Sequence, residues 1–359
     1  MLLRRLWLTD FRSYREADIT LSEGLTVIVG ENGEGKTNLL EAVGYLATLA
    51  SFRGAPTEAL VRVGTAMATV RAEGERDGRE LLIEAEIVPG GRSRVQVNRQ
   101  RLSRARDLLG ALRVSVFSPD DLELVKGGPA ERRAYLDDTL VSSSPKLDPV
   151  RTEVDRVLRQ RNALLRQAGG RLTPDVESTL EVWDAKLVAA GEALTTERVT
   201  LLERLGPALG SAYRKVAHRE VEVNARYVST WMASGLHQAL VDARRDELRR
   251  GVTLVGPHRD ELEFSVGGLP ARTHASQGEQ RSLALALRLA SHEVVTEAAG
   301  SPPVLLLDDV FSELDEGRSA ALLASLPAGQ TLLSSAAGLP RQAHPDAVLV
   351  VENRRVRTA

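Results

Sequence analysis

Gly30-Glu31-Asn32-Gly33-Glu34-Gly35-Lys36-Thr37 gathers glycines, a lysine and a hydroxyl into one short run, with Asn38 just after it. Residues of these types at this spacing hold phosphate. Glycines let successive backbone N–H groups curl around the β- and γ-phosphates, where a Cβ would obstruct them. A helix beginning at the end of the run turns its positive end toward the same anion. Lys36 supplies a mobile charge for the β/γ oxygens, and the Thr37 hydroxyl completes a Mg²⁺ shell. The run is flanked by Leu25–Val29, a β-branched apolar segment suited to a buried strand, and by residues 38–49, which read as a helix. That strand–loop–helix context is what the pattern requires.

Far along the chain, Val304-Leu305-Leu306-Leu307 ends in Asp308-Asp309. Buried aliphatics running into two acids suit a magnesium-binding strand end. Asp308 would hold Mg²⁺ through water, and Asp309 would polarise an attacking water. Apolar strands often end in acids, so this motif gains its meaning from the phosphate loop. Ser276-Gln277-Gly278-Glu279-Gln280-Arg281 precedes an apolar helix over 282–290. On its own it could be a helix N-cap. Lying just before the acidic strand, it resembles the signature of ABC-type ATPases, whose heads dimerise around two nucleotides. The resemblance implies that Ser276, the Gly278 N–H and the helix start touch the γ-phosphate held by the opposite subunit. Ser312-Glu313-Leu314-Asp315 resembles the D-loop that follows the same strand and crosses the dimer interface.

The elements that must position these motifs fall into three stretches. Residues 1–122 read as strands and short helices, with alternating segments at 66–73 and 80–88 that suggest an antiparallel sheet. Residues 123–250 read as helical: 152–167 carries Val154, Val157, Leu158, Leu164 and Leu165 at helical spacing. A Gly169-Gly170 break follows. Beyond it a longer helix runs through Trp183, Leu187, Leu194, Leu201, Leu202 and Leu205. This predicts a helical hairpin or small bundle, too short for a long coiled coil. Strands return over 251–359. The expectation is an α/β fold: an ABC-type ATPase head of two lobes, 1–122 and 251–359, with mixed and antiparallel sheets and an inserted helical arm domain over 123–250.

A phosphate loop near the start, a signature near the end and a helical insertion between them is the layout of SMC-like heads. Within that branch the chain resembles the RecF family over its whole length. The residues carrying the resemblance are Phe11-Arg12-Ser13-Tyr14, the run Gly30 to Asn38, and Phe117-Ser118-Pro119-Asp120-Asp121-Leu122. To these are added Pro129, Arg132-Arg133, Tyr135-Leu136-Asp137, Gly256-Pro257-His258-Arg259-Asp260, the signature and the Asp308–Asp315 segment. The resemblance implies ATP and Mg²⁺ as ligands, with Arg12 joining the ATP site and Thr37 and Asp308 holding the metal. It also implies a homodimer on ATP binding, a clamp on DNA, and weak DNA-dependent ATP hydrolysis. By the same resemblance the protein works in recombinational repair and the SOS response with RecR and RecO, assisting RecA loading at gaps. Asp120 and Asp121 resemble a lid linking γ-phosphate to arm movement, and His258 and Arg259 a feature near the dimer face. Two departures stand out. Glu279 replaces a residue more often Gln, and the switch position after Thr331–Ser335 offers serine and alanine instead of histidine or threonine. Both point to slow turnover.

Composition bounds the partners. The chain has 359 residues, 43% hydrophobic and 27% charged, enough for a real core. Its formal net charge of -2 gives no overall pull on a polyanion, so nucleic acid would need a local basic patch. Candidates are Arg92, Arg94, Arg99, Arg101, Arg104 and Arg106, with a solvated strand face as the equal alternative. Arg151, Arg156, Arg159, Arg161 and Arg166 on the arm pose the same question. Aromatics at 4% favour backbone contact with duplex over base stacking. The absence of cysteine excludes disulfides and thiolate metal sites. No apolar run suits a signal peptide or a membrane span, so a cytoplasmic protein is expected. The rival from another class, the energy-coupling subunit of a membrane transporter, shares the three nucleotide motifs. Such subunits keep loop and signature closer together and lack an arginine-bearing arm.

Overall fold

Two kinds of strand coexist, and the side chains dictate which. Leu25–Val29, Val304–Asp308 and Thr331–Ser335 are buried along nearly their whole length, as parallel strands covered on both faces must be. Ala68–Arg76 and Arg79–Ile87 alternate buried and partly exposed positions, the mark of a sheet with one face on a core. The computed structural model describes residues 1–91, 93–339 and 342–359, without the side chains of Ala105, Arg106 and Glu313.

In chain order, β1 (Leu2–Phe11), β2 (Tyr14–Thr20) and β3 (Leu25–Val29) lead into α1 (Lys36–Thr48) and the short α2 (Thr57–Leu60). Then come β4 (Ala68–Arg76), β5 (Arg79–Ile87), β6 (Arg94–Val97), β7 (Gln100–Arg101) and β8 (Val114–Phe117). Helices α3 (Glu123–Lys126), α4 (Pro129–Ser143), α5 (Asp148–Ala168) and α6 (Pro174–Ala217) follow. Next are β9 (Val223–Val228), α7 (Leu236–Arg250), β10 (Glu261–Val266), β11 (Leu269–Pro270), α8 (Ala271–His274) and α9 (Gln277–Ala299). Last are β12 (Val304–Asp308), α10 (Glu316–Ala324), β13 (Thr331–Ser335), β14 (Ala347–Glu352) and β15 (Arg355–Thr358).

These elements form two compact units. The first comprises residues 1–121, 211–220 and 281–359. It holds an antiparallel sheet of order β2-β1-β4-β5-β6-β7 and a mixed sheet of order β15-β14-β3-β13-β12-β8. In the mixed sheet β14, β3, β13, β12 and β8 run parallel, and β15 is antiparallel at the edge. Helix α1 packs against strands of both sheets, so it is apolar all round: Leu40, Ala42, Val43 and Leu46 have no exposure. Trimming Leu46 to Ala would cost about 2–5 kcal/mol. The buried amide of Gln330 also ties the sheets, accepting from Leu3 N and donating to Leu3 O and Ser22 O.

The second unit comprises residues 122–210 and 221–280. Leu165 of α5, Leu180 of α6 and Leu248 of α7 make one apolar cluster, the small bundle that the spacing implies. Beside it the region expected to be helical contains a strand, β9, which pairs with β10 in a three-stranded sheet. Its alternating Val223, Ala225 and Tyr227 are too few to stand out between two long helices. At the bundle's centre Arg161 is fully buried. It donates to Asp184 at 2.7 Å, to Glu247 at 2.7 Å and to Thr253 Oγ1 at 2.9 Å. The reading of Arg161 as a possible DNA contact is therefore corrected: its guanidinium joins three helical segments and never meets solvent.

Candidate nucleotide site

The loop from Gly30 to Thr37 leaves the end of β3 and enters α1, at the carboxyl edge of the parallel strands where α/β sheets place their ligands. Its glycines are demanded by position. Gly35 has φ +115, and a Cβ there would lie 2.8 Å from Ser13 Oγ and 3.0 Å from Tyr14 Oη. At Gly30 a Cβ would meet the Val351 carbonyl oxygen at 2.4 Å. Gly33, with φ +87, completes the curl. The Tyr14 hydroxyl donates to Gly35 O, and the Asn38 amide donates to Ser13 Oγ at 2.9 Å. The β1–β2 turn thus buttresses the loop from behind.

Lys36 Nζ donates to the carbonyls of Gly30 at 2.8 Å and Glu31 at 2.7 Å, which holds the ammonium over the loop. Burial pulls its pKa below the ordinary lysine value, while Asp309, Asp308 and Glu34 work against that shift. Thr37 Oγ1 donates to Asp308 Oδ1 at 2.8 Å, and Ser334 Oγ donates to the same oxygen at 2.7 Å. Ser334 lies on β13, between β3 and β12. The strand order therefore assembles the cluster from three neighbouring strand ends. Burial pushes the Asp308 carboxyl up from its usual value, opposed by its hydroxyl donors and by the charge of Arg53. Hydroxyl and carboxylate oxygens converging in this way suit a hard cation that keeps most of its other ligands as water or phosphate.

Asp309 adopts left-handed backbone, φ 48. Its N–H donates to the backbone O and the Oγ of Ser334, and its Oδ1 accepts from Ala336 N at 3.2 Å. The serine and alanine of the switch position thus hold both acids of the pair. Arg12 makes a two-pronged pair with Glu41 at 2.7 and 2.6 Å and donates to Ala59 O. Glu41 is fully buried and was not singled out in the sequence; the signal was a lone charge inside the apolar run of α1. Around Arg12, Ser13, Asn38, Glu58, Arg62 and Arg354 opens a groove of about 1220 Å³ beside the loop.

At the start of α9, Ser276 and Glu279 form a reciprocal cap: Glu279 Oε2 accepts from Ser276 N at 2.9 Å and Oγ at 2.8 Å, and Glu279 N donates to Ser276 Oγ. Gln280 Nε2 donates to the carbonyls of Ala271 and Arg272. Gln277 and Gly278 occupy the first turn of the helix. In the segment after β12, Ser312 Oγ donates to Asp309 O at 2.8 Å. Leu314 follows, and Asp315 caps α10 by accepting from Arg318 N. The Glu313 side chain lies outside the described residues.

The other candidates separate. Asp121 is buried against Arg288, whereas Asp120 is exposed. His258 Nε2 lies 3.1 Å from Thr253 O, and burial pushes its pKa down to about 4. Asp260 accepts from Tyr227 Oη and Trp231 Nε1, which makes it a buried anchor of its turn. Among the basic candidates, Arg94 is exposed beside Glu86 at 3.6 Å, and Arg99 sits in the β6–β7 turn with φ 65. Arg101 and Arg104 are exposed. Arg92 and the Arg106 side chain lie outside the described residues. On the arm, Arg151 pairs with Asp148 and Asp138, Arg156 pairs with Glu153, and Arg159 and Arg166 are exposed. Among the described residues no helix is long and apolar enough to cross a membrane.

A phosphate loop and its acid pair on parallel strands that flank a third, joined to an antiparallel sheet and interrupted by a helical arm, define an ABC-type ATPase head of the SMC-like class. The Smc head bound to the C-winged helix domain of ScpA aligns with a TM-score of 0.60 at 18% identity, covering 100% of this chain and 97% of that one; the likeness is one of fold. The RecF/RecN/SMC N terminal domain family matches residues 2–332. The DNA replication and repair protein RecF of Frankia alni is 46% identical over 355 residues, covering 94% of this chain and 93% of that protein. RecF of Streptomyces avermitilis is 44% identical, covering 94% of each. The recombination mediator protein RecF-ATP of the RecFOR pathway aligns with a TM-score of 0.92 at 28% identity, covering 100% of this chain and 97% of that one. The chain belongs to the RecF family.

Proposed function

We propose that this chain is an ATP-dependent DNA clamp of recombinational repair, with DNA replication and repair as its setting by family. The observation that carries the reading is the convergence of Thr37 and Ser334 on Asp308 at the mouth of the glycine loop. ATP would lay its phosphates in the loop of Gly30, Glu31, Asn32, Gly33, Glu34 and Gly35. Lys36 would trade its two carbonyl partners for phosphate oxygens. Thr37 and Asp308 would hold Mg²⁺, which when bound offsets charge on the β- and γ-phosphates. The groove beside Arg12 and Asn38 has room for the nucleoside. Asp309, oriented through its contacts with Ser334 and Ala336, would accept the proton of the attacking water.

In this reading two heads close face to face, and Ser276 of each completes the site of the other, an isologous arrangement. Closure would clamp duplex or a single-strand/duplex junction, and slow, DNA-dependent hydrolysis would reopen it. RecO and RecR are the partners suggested by a solved relative from the RecFOR pathway, with RecA loading at gaps and the SOS response as the setting. In the division of labour proposed, residues 1–122 and 251–359 form the two lobes of the head and residues 123–250 the arm.

The test is molecular mass by light scattering, with and without Mg-ATP, for wild type and Ser276→Arg. A doubling with ATP that Ser276→Arg abolishes supports the clamp; a mass indifferent to ATP while nucleotide still binds refutes it. Lys36→Met should lose ATP-dependent DNA retention, and a variant that still clamps DNA in response to ATP contradicts the mechanism.

A further inference from the structure

Helix α9 begins at the Ser276–Gln280 segment and runs unbroken to Ala299. Arg288 lies about three turns along it. Its Nε and Nη2 both donate to Asp121 Oδ1, at 2.9 and 2.6 Å. Asp121 is itself held: its Oδ2 accepts from Ser118 N, and its N–H donates to Ser118 O. One turn further, the buried His292 places Nδ1 3.0 Å from Ser115 Oγ. Ser115 is on β8, and β8 pairs directly with β12, the strand that ends in Asp308. Residues four apart share one helix face. The same face of α9 is therefore fastened by polar contacts to β8 and to the turn that follows it.

Apolar side chains would hold a helix against a sheet at least as firmly. A largely buried ion pair gives little net stability against a hydrophobic replacement, and its best-attested use is to fix register. Two donors on one carboxylate oxygen leave little rotational freedom, unlike methyl groups sliding past one another. A helix is stiff over this length, so its rotation at Arg288 is also its rotation about 18 Å away at Ser276. The Asp121 side chain is 10% exposed and its oxygens are engaged within the protein. That arrangement suits a support more than a nucleotide contact.

We propose that Arg288 and Asp121 are positioning residues that set the register of the signature helix, and so govern whether ATP drives two heads together. This rests on the reading of Ser276 as a contact to the partner's nucleotide. It assigns a function to Arg288, which no motif marked, and moves Asp121 from the nucleotide to the helix.

The experiment uses the full chain as wild type, Arg288→Gln, Arg288→Lys and Arg288→Gln/Asp121→Asn. Nucleotide affinity is measured under dilute, monomeric conditions, and the protein concentration at half-dimerisation in saturating Mg-ATP by light scattering. Arg288→Gln should leave monomer affinity within about twofold and raise the half-dimerisation concentration about tenfold or more, since a lost charge-assisted contact corresponds to that order. Arg288→Lys, with one donor point in place of a fork, should fall between. The double variant should be no worse than Arg288→Gln, because the pair acts as one unit. Unchanged dimerisation in Arg288→Gln overturns the proposal. So does a parallel fall in monomer affinity, which would mark general damage. Should Arg288→Gln fail to fold, Arg288→Lys carries the test, and an unshifted Lys variant is equally fatal. Wild type that stays monomeric in Mg-ATP overturns the sandwich reading itself, and this inference with it.

Discussion

The hydroxyl of Thr37 donates to Asp308 Oδ1 across 2.8 Å, joining residues 271 positions apart in the chain. One residue lies in the first turn of helix α1 and the other ends β12, and β13 passes between their strands carrying Ser334. The meeting of the loop hydroxyl with Asp308 and Ser334 therefore depends on the order in which parallel strands are laid down. Neither local segment specifies that order alone.

Ser334→Ala tests the middle of this arrangement. Asp308 would keep the Thr37 hydroxyl and lose the Ser334 hydroxyl, one of the donors that oppose the upward push of burial. Its pKa should rise further. Since a metal takes the carboxylate form, Mg²⁺-dependent nucleotide binding should weaken about tenfold or more, the order expected for one hydrogen bond to a charged group. The loss on acidification should also begin at a higher pH than in wild type. Titrations of a fluorescent ATP analogue between pH 5 and 8 measure both, and an unchanged pH profile would remove Ser334 from the site.

Glu279 offers a separate test. Its carboxylate accepts from Ser276 N and Oγ in the cap of α9. A Gln there can still serve a capping box while removing the charge. Glu279→Gln should therefore change the thermal midpoint by less than about 2 °C. If Ser276 meets a phosphate, loss of the neighbouring acid should strengthen ATP-driven dimerisation several-fold, read by light scattering. A weaker dimer would mean that the acid assists the contact.

How much of this was legible in the residues depends on the range of the interaction. The phosphate loop announces itself because local backbone geometry requires Gly33 and Gly35. The strand β3 matches its expected span for a similar reason: a short β-branched and apolar run leaves little choice. Glu41, Arg161 and Arg288 were opaque or misread, since each is explained by a partner far away in sequence. Arg161 looked like one more basic residue on an arginine-rich helix. Its meaning lies in Asp184, Glu247 and Thr253, which no periodicity connects to it. Strand β9 was hidden because its short alternation sits between long helices whose pattern dominates.

Arg161→Met should show what that buried network does. Removing the guanidinium leaves Asp184 and Glu247 buried without their shared partner, although Arg244 still reaches Asp184 at 3.0 Å. Breaking a buried pair from one side costs about 3–5 kcal/mol. The second unit should lose that order of stability, read as earlier protease cleavage within residues 122–280 and a lower thermal midpoint. Nucleotide binding by the loop should survive below the new midpoint. A Met variant as stable as wild type would mean that the carboxylates repair themselves by taking up protons or water.

Acid should expose a second weakness. His292 is 2% exposed, and burial pushes its pKa from the usual 6.5 down to about 4. His258 is lowered to about 4 for the same first reason, with Arg259, Arg133 and Arg161 adding to the shift. In the unfolded chain both take up a proton near pH 6.5, and in the folded chain they resist it. The unfolded state thus binds more protons between those values, so stability is full above about pH 6.5 and falls as pH drops toward about 4. For His292 the slope approaches about 1.4 kcal/mol per pH unit, or about 3 kcal/mol over the whole window. Denaturation of wild type and His292→Leu at pH 7.5, 6.0 and 5.0 isolates the term, because every other titrating group is common to both. Packing of the leucine against Ser115 sets the difference between the two proteins at pH 7.5, and that difference must shift in the variant's favour as pH falls. Parallel stability curves would show that His292 is protonated in the fold or reached by water.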